Sequence, residues 1–194
     1  MLKAEYRVQV VIDYSGMEHD GLYLEGTGAM VLDHIERVAY VARSNRADPI
    51  VLERFCTQFG FEPMAFDTAD EQGRPVYHTN VMMCVASDFA LVGLSLITDA
   101  ARREEIRHRL QDTGREVIEL SPEQIAAFAG NAIELSGDGE RILALSSRAA
   151  EALRPDQREI IEASNRLLPI PVPTIERAGG SVRCMIAGIH PTPR

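Results

Sequence analysis

The stretch from residue 27 to residue 42, TGAMVLDHIERVAYVA, decides the fold because its pattern returns twice further along the chain. Residues 79–94 read TNVMMCVASDFALVGL, and residues 130–145 read GNAIELSGDGERILAL. In each copy two polar or glycine residues precede an apolar run, a turn and a second apolar run, which predicts a β-hairpin. The matching positions Gly28 and Asn80, and then Asn131, recur at intervals of about 50 residues, so the chain contains an internal repeat.

Each predicted hairpin is followed by a helical pattern and, after the first two, by a further apolar strand. Candidate strands cover residues 6–12, 29–33, 37–42, 62–66, 80–86, 89–94, 116–120, 131–135, 141–145, 168–172 and 183–189. Candidate helices cover residues 48–59, 99–113, 122–128, 147–152 and 155–166. The unit is therefore β-β-α-β, used three times and then cut short. Units of this kind stack around an axis or along a line, and they place the chain in the α/β class.

Size and charge narrow the classes of protein to consider. The 194 residues predict one domain, residues 1–194, with an ordinary share of apolar side chains. A net charge of −9 argues against nucleic acid and against an anionic membrane as partners, since both attract basic surfaces. No apolar run reaches membrane-spanning length, and the opening MLKAEYRVQVV lacks the order of a signal peptide. We therefore expect a cytoplasmic protein.

The cysteines and histidines are too scattered to indicate a metal site. Cys56, Cys84 and Cys184 form no C-x-x-C pair, and their odd number argues against a disulfide framework. The five histidines occur singly. Each cysteine is therefore either a small apolar core residue or a nucleophile, and we interpret Cys56 and Cys84 as core residues.

Three chemically different side chains lie near matching positions of the repeat. Glu25 precedes the first hairpin, His78 precedes the second, and Cys184 lies where the next unit would begin. In a closed ring equivalent strand ends converge on the centre, so a carboxylate, an imidazole and a thiol would meet there. Each residue also has a simpler interpretation: Cys184 as a buried strand cysteine, His78 as a turn or core histidine, and Glu25 as a solvated carboxylate.

The polar residues beside these three also leave alternatives open. Asn80 and Asn131 are either turn residues or donors and acceptors for a neutral, amide-like group. Arg183 adds positive potential beside Cys184, which favours a thiolate. The sequence GTG at 26–28 is too short a signal to indicate a phosphate loop.

Four short motifs together resemble those of the guanidino-group-modifying superfamily, the penteins: LEGTG at 24–28, YHTNVMM at 77–83, AGN at 129–131 and GGSVRCM at 179–185. This superfamily includes arginine deiminases, dimethylarginine dimethylaminohydrolases and amidinotransferases, and the citrulline ureidase branch is the most similar. The resemblance runs over nearly the whole chain. It implies a pentein-type α/β propeller of ββαβ repeats, here incomplete, with about three and a half of five blades. It also implies that the chain corresponds to the C-terminal portion of the family domain, so that a homo-oligomer or a missing N-terminal portion is an expected partner.

The resemblance further implies roles for individual residues. Cys184 would be the nucleophile, His78 the general acid and base, and Glu25 the carboxylate that completes the triad. Asn80, Asn131 and Arg183 would contact a small amino-acid substrate, and neither a metal nor an organic cofactor is expected.

Two departures from the deiminase pattern favour a neutral ureido substrate over a charged guanidinium. Deiminases have an aspartate where Asn80 stands, and Gly-Gly-Asp where this chain has residues 26–28. A guanidinium buried without a carboxylate would be costly, so we expect hydrolysis of citrulline to ornithine, ammonia and carbon dioxide. The alternatives are amidinotransferase or arginine deiminase-type activity, and an inactive fragment that acts only by binding a partner chain.

Overall fold

The computed structural model describes residues 2–137 and 139–188. Nine strands lie along this part of the chain: β1 (Val31–Asp33), β2 (Val38–Ala42), β3 (Glu62–Phe66), β4 (Met83–Val85), β5 (Phe89–Val92), β6 (Glu116–Glu119), β7 (Ile133–Gly137), β8 (Glu140–Ser146) and β9 (Arg166–Ile170). The α-helices of the same residues are α1 (Leu2–Glu5), α2 (Gly26–Ala29), α3 (Pro49–Phe59), α4 (Ala100–Gln111), α5 (Pro122–Ala126), α6 (Ser147–Ala152), α7 (Pro155–Glu162) and α8 (Pro173–Arg177). Short 3₁₀-helices cover Ser15–Asp20, Thr79–Val81, Leu94–Leu96 and Val182–Met185.

The strands form three separate three-stranded sheets with one topology. Their orders are β1-β2-β3, β4-β5-β6 and β7-β8-β9. In each sheet the first two strands are an antiparallel hairpin, and the third strand pairs parallel to the second after a helical crossover. The ββαβ repeat and the mixed α/β class predicted from the sequence are therefore confirmed.

The middle strands of the first two sheets are buried along their whole length. All five residues of β2 and all four of β5 are buried, in keeping with their near-continuous apolar sequence. The crossover helices begin at well-formed caps: Asp48 accepts backbone N–H bonds at the start of α3, and Asp99 does so for α4. Gly60 ends the α3 segment in the left-handed conformation that glycine adopts without strain.

The three sheets pack side by side through their first strands, with β1 against β4 and β4 against β7. A buried ion pair spans the first two sheets. Arg115, at the start of the second sheet's last strand, binds both carboxylate oxygens of Asp33 at the end of β1, at 2.7 and 3.1 Å. The segments that precede the first strands are neighbours as well, since α2 contacts the 3₁₀-helix Thr79–Val81. This arrangement brings distant parts of the chain together in one site.

Two predicted strands are wrong. Of the strand predicted at residues 6–12, residues 7–12 have no regular secondary structure. Val10 and Val11 are exposed, and no strand of the described residues pairs with them. The strand predicted at 183–189 is instead the 3₁₀-helix Val182–Met185, and residue 189 lies outside the described residues. Within the described part of the chain, no helix is both long enough and apolar enough to cross a membrane.

Candidate active site

The three polar residues before β4, at positions 78–80, connect the second sheet to the first. Thr79 is fully buried, its hydroxyl donates to the Ala29 carbonyl at 2.5 Å, and it accepts the backbone N–H of Ala42 at 2.8 Å. These two bonds attach the start of the second sheet to the first. His78 and Asn80, on either side of this anchor, are therefore held in fixed positions.

His78 and Glu25 contact each other directly although 53 residues separate them. His78 Nε2 lies 2.7 Å from Glu25 Oε2. Partial burial opposes ionisation of Glu25, but hydrogen bonds from Arg46 and His78 outweigh it and hold the pKa of this carboxyl below its usual value. The carboxylate is thus ionised near neutral pH and can orient the imidazole.

The other side of the imidazole ring packs against a glycine. A Cβ atom at Gly28 would lie only 2.8 Å from His78 Nδ1 and 2.9 Å from His78 Cε1, so any side chain there would displace the ring. This close approach gives a physical reason for glycine at the position that asparagine occupies in the next two repeats.

The Cys184 thiol lies between the two asparagines that the repeat pattern aligned. Asn131 Nδ2 donates to Cys184 Sγ at 3.2 Å, and Asn80 Nδ2 does so at 3.5 Å. Both asparagines are fully buried, whereas Cys184 is exposed. Asn131 Nδ2 also donates to the Asn80 backbone carbonyl at 2.9 Å, so the second and third repeats meet directly beneath the sulfur.

Tyr77 connects the histidine segment to the cysteine segment. Its hydroxyl donates to the Gly179 carbonyl, and its ring centroid lies 5.0 Å from that of His78. Gly180 approaches Cys184 from the same loop, because a Cβ atom at Gly180 would lie 3.7 Å from the sulfur. Tyr77 was not predicted as a site residue, since a tyrosine before a polar strand start carries no signal of its own.

Arg183 occupies a different environment from its neighbour Cys184. Its guanidinium donates weakly to the Ile186 carbonyl at 3.5 Å, and it lines a cavity of about 430 Å³ that also borders Gly26 and Thr27. The predicted contact of Arg183 with substrate stays a prediction. Among the described residues, no group of histidine, cysteine and carboxylate side chains could hold a metal ion.

The arrangement therefore presents an exposed thiol, two amide donors and an imidazole–carboxylate pair at one end of the sheets. Of the described residues, only the two asparagine side chains hydrogen-bond to Cys184 Sγ, so His78 does not bond to the thiol directly. Because Nε2 of His78 is bound to Glu25, Nδ1 is the ring nitrogen left for another group. The roles of these residues in catalysis remain predictions from the sequence.

Arg46 is, with Tyr77, a residue of this site that the sequence pattern did not indicate. Its Nη1 donates to Glu25 Oε1 at 3.2 Å and to Oε2 at 2.9 Å. Arg46 lies in the loop between β2 and α3, 21 residues from Glu25, and no local pattern marks it.

Comparison with known proteins gives a family and several structures of the same fold. The family described as N,N-dimethylarginine dimethylhydrolase, eukaryotic, matches residues 1–191. No curated protein matches the chain at a significant level.

Three solved structures illustrate the structural likeness. The N-terminal domain of ArgZ, covalently bound to a reaction intermediate, matches with a TM-score of 0.67 and 19% identity over 84% of this chain and 56% of that one. ArgZ is described as an arginine dihydrolase from the ornithine–ammonia cycle in cyanobacteria. AgrE, in a complex with ornithine and NAD⁺, matches with a TM-score of 0.71 and 18% identity over 89% of this chain and 24% of that one. A histidine-to-glycine variant of dimethylarginine dimethylaminohydrolase, as an adduct with S-methyl-L-thiocitrulline, matches with a TM-score of 0.56 and 14% identity over 81% of this chain and 53% of that one.

At these identities the structures establish the fold alone, and they confirm the predicted pentein-type architecture. The chain spans 56% of the ArgZ domain that it matches. Structural similarity alone therefore does not assign the activity of a complete pentein to this chain. The closer similarity to citrulline ureidases stays a prediction. Because the family model matches residues 1–191, the chain belongs to the N,N-dimethylarginine dimethylhydrolase family of the guanidino-group-modifying superfamily.

Proposed function

We propose that this chain carries the thiol centre of a hydrolase that cleaves a C–N bond in a ureido amino acid, with citrulline as the preferred substrate. One observation carries the proposal. The exposed Cys184 sulfur is flanked by two neutral amide donors, Asn80 and Asn131, and the nearby carboxylate of Glu25 is already bound by His78 and Arg46.

The proposed reaction proceeds in two steps. The Cys184 thiolate adds to the ureido carbon, and an S–C bond forms while His78 protonates the departing nitrogen and the C–N bond breaks. The same imidazole then takes a proton from water, which attacks the thiol-bound carbon and releases the thiolate. The departing nitrogen is that of ornithine, so ornithine leaves in the first step and water releases carbamate in the second. The carbamate then decomposes to ammonia and carbon dioxide. The net change is citrulline plus water to ornithine, ammonia and carbon dioxide.

Each neighbouring group has a part in this scheme. Amide N–H donors aimed at the reacting centre stabilise the negative charge that develops on the sulfur and on the ureido oxygen. Glu25 orients the imidazole and stabilises its protonated form between the two steps. No step requires a metal ion or an organic cofactor, because the thiolate, the imidazole and water account for every bond that changes.

The amide character of the site supports a neutral substrate. A guanidinium carries a full positive charge, and burying it beside two amides would leave that charge without a counterion. A ureido group presents a carbonyl oxygen to the amide donors and N–H groups to their oxygens, so its hydrogen bonds can be satisfied there.

A guanidino substrate is the second candidate, and the family membership favours it. The matching family is described by its action on dimethylarginine, and ArgZ is described as an arginine dihydrolase. Comparing kcat/KM for citrulline, arginine and dimethylarginine separates the two candidates. We expect citrulline to be preferred, and a clear preference for either guanidino compound would reverse the assignment.

Ammonia release from citrulline tests the proposal directly. Wild-type protein is compared with Cys184→Ala and with Cys56→Ala, which removes a buried thiol in the core of the first repeat. We expect kcat to fall about a thousandfold or more in Cys184→Ala and to be retained in Cys56→Ala. Equal activity in wild type and Cys184→Ala would contradict the proposal. Silence in all three well-folded proteins would instead favour the interpretation that the chain acts only by binding a partner.

A further inference from the structure

We propose that Arg46 is a positioning residue of this site, which holds the Glu25 carboxylate in the orientation that meets His78. The inference rests on the proposed function, because it assigns Arg46 a task in the same site. Among the described residues, Arg46 makes no hydrogen bond to the thiol or its asparagine donors, and both hydrogen bonds of its side chain go to Glu25, so its role is exerted through that carboxylate.

Arg46 holds Glu25 by its side chain and by its backbone. The guanidinium binds both carboxylate oxygens through Nη1, and the Glu25 backbone N–H donates to the Arg46 carbonyl at 3.1 Å. Glu25 Oε2 is the oxygen shared by the guanidinium and by His78 Nε2, at 2.9 and 2.7 Å. A carboxylate fixed at both ends in this way has one orientation, and in that orientation it faces the imidazole.

The loop that carries Arg46 is attached to both partners of the pair. Asp48 N–H donates to the Tyr23 carbonyl at 2.7 Å, which ties the loop to the segment before Glu25. On the other side, the Ser44 hydroxyl donates to the Tyr77 carbonyl at 2.9 Å and accepts the Arg46 backbone N–H at 3.1 Å. Residues 44–48 therefore bridge the chain segments that carry the carboxylate and the imidazole.

Exposure explains why the carboxylate needs such support. The Glu25 side chain is 38% exposed, whereas that of His78 is only 17% exposed. A glutamate exposed to this degree would otherwise move among several rotamers and exchange its imidazole contact for water. The two bonds from Arg46 restrict this motion.

The charge of Arg46 also lowers the pKa of Glu25, in addition to fixing the position of the carboxylate. Partial burial raises the pKa of Glu25, and the bond from Arg46 is the foremost of the contacts that lower it. The other titratable groups near the carboxylate are His78 and, around an adjoining cavity of about 290 Å³, Tyr14, Glu18 and Tyr23. Loss of the guanidinium should therefore raise the pKa of Glu25, so that the carboxylate that orients His78 is protonated at higher pH than in the wild type.

The variant Arg46→Gln tests this role, with Arg74→Gln as its matched control. Arg74 binds a different carboxylate, that of Asp70, in an exposed pair four residues apart. The titration of the Glu25 carboxyl carbon is followed by ¹³C NMR, with Glu25→Gln to assign the signal. In parallel, kcat/KM for citrulline is measured against pH.

We expect Glu25 to titrate at higher pH in Arg46→Gln and at the wild-type pH in Arg74→Gln. The acidic limb of kcat/KM should move in the same direction, with a loss of about tenfold on that limb. Arg46→Lys, which keeps the charge but not the bidentate geometry, should restore part of the activity.

The outcomes separate this inference from the proposed function. An unchanged Glu25 titration in Arg46→Gln overturns the inference. A shifted titration with an unshifted pH profile also overturns it, because the carboxylate would then not control the imidazole. If the titration shifts but wild-type protein turns over no substrate, the arginine–carboxylate linkage is supported and the proposed function fails.

Discussion

Cys184 differs from the other two cysteines in exposure, and this difference decides which thiol can react. Burial raises the pKa of Cys56 to about 11 and that of Cys84 to about 12, so both remain thiols at neutral pH. Cys184 is exposed and faces two amide donors. We expect iodoacetamide at a pH of about 7.5 to alkylate Cys184 at least about tenfold faster than Cys56 and Cys84. Peptide mass spectrometry after a time course measures this, and equal labelling of Cys84 in folded protein would contradict it.

Asn80 is the residue at which substrate charge should be selected. Its amide donates to the Cys184 sulfur, and the residue is completely buried. A substrate group bound at the thiol must therefore be one that can hydrogen-bond to this amide. In Asn80→Asp a carboxylate replaces this donor, which favours a guanidinium and repels the thiolate. We expect kcat to fall for both substrates, while the ratio of kcat/KM for arginine to that for citrulline rises about tenfold or more. The unchanged ratio expected for Gln72→Glu, the same change of amide to carboxylate in the exposed turn at residues 70–73, serves as the control.

At the scale of the element, the start of each first strand sets the position of the reacting groups. Gly28 allows the His78 ring to lie against the backbone of α2, whereas an added Cβ would lie 2.8 Å from the ring. We expect Gly28→Ala to lower kcat/KM for citrulline about tenfold or more by displacing the imidazole. Gly16→Ala is the matched control, because a Cβ there meets no atom within 4 Å. Full activity in Gly28→Ala would show that the ring position is not critical.

The same elements show how far the sequence can be read. Strand β3 and helix α6 begin and end at the predicted residues, because alternation and capping are local signals. The extended residues 7–12 look like a strand by composition, but a strand needs a partner, and pairing is not encoded locally. Residues 183–188 failed for a related reason: the repeat register predicted a strand, while the turn bonds of the 3₁₀-helix set the local backbone.

The candidate site was predictable only as far as the repeat aligned it. The repeat aligned the starts of the three hairpins, and the structure brings Glu25 beside His78 and both asparagines beside Cys184. The contact of the asparagines with the sulfur was not predicted, and the predicted roles of these residues stay predictions. Arg46 lies in a loop outside the repeat pattern, so its contact with Glu25 depends on how the loop folds back. Contacts that follow from symmetry can be inferred from one sequence, and contacts made by a single loop cannot.

At the scale of the whole molecule, the site depends on the relative position of the three sheets. Glu25 precedes the first sheet, while His78 and Asn80 precede the second and Asn131 the third. Small shifts between sheets would separate the imidazole from its carboxylate. The contacts that fix one sheet against the next therefore support the site although they lie away from it.

The Asp33–Arg115 pair is the contact on which we expect the joint between the first two sheets to depend. Both side chains are almost completely buried, with 1% and 2% exposed, and Arg115 also donates to the Ala86 carbonyl at 2.8 Å. Asp33→Asn keeps an acceptor for the turn after β1 but leaves the buried guanidinium without a counterion. We expect the free energy of unfolding to fall by about 3–5 kcal/mol, measured by urea denaturation. Asp156→Asn, which breaks an exposed pair with Arg154, should cost about 1 kcal/mol or less. The double variant Asp33→Leu/Arg115→Met removes both charges at once. It should lower the free energy of unfolding by less than the sum of the two single replacements, because each single replacement leaves a buried charge unpaired and the double replacement leaves none. A cost for Asp33→Asn no larger than that for Asp156→Asn would show that the sheets are held together by apolar packing alone.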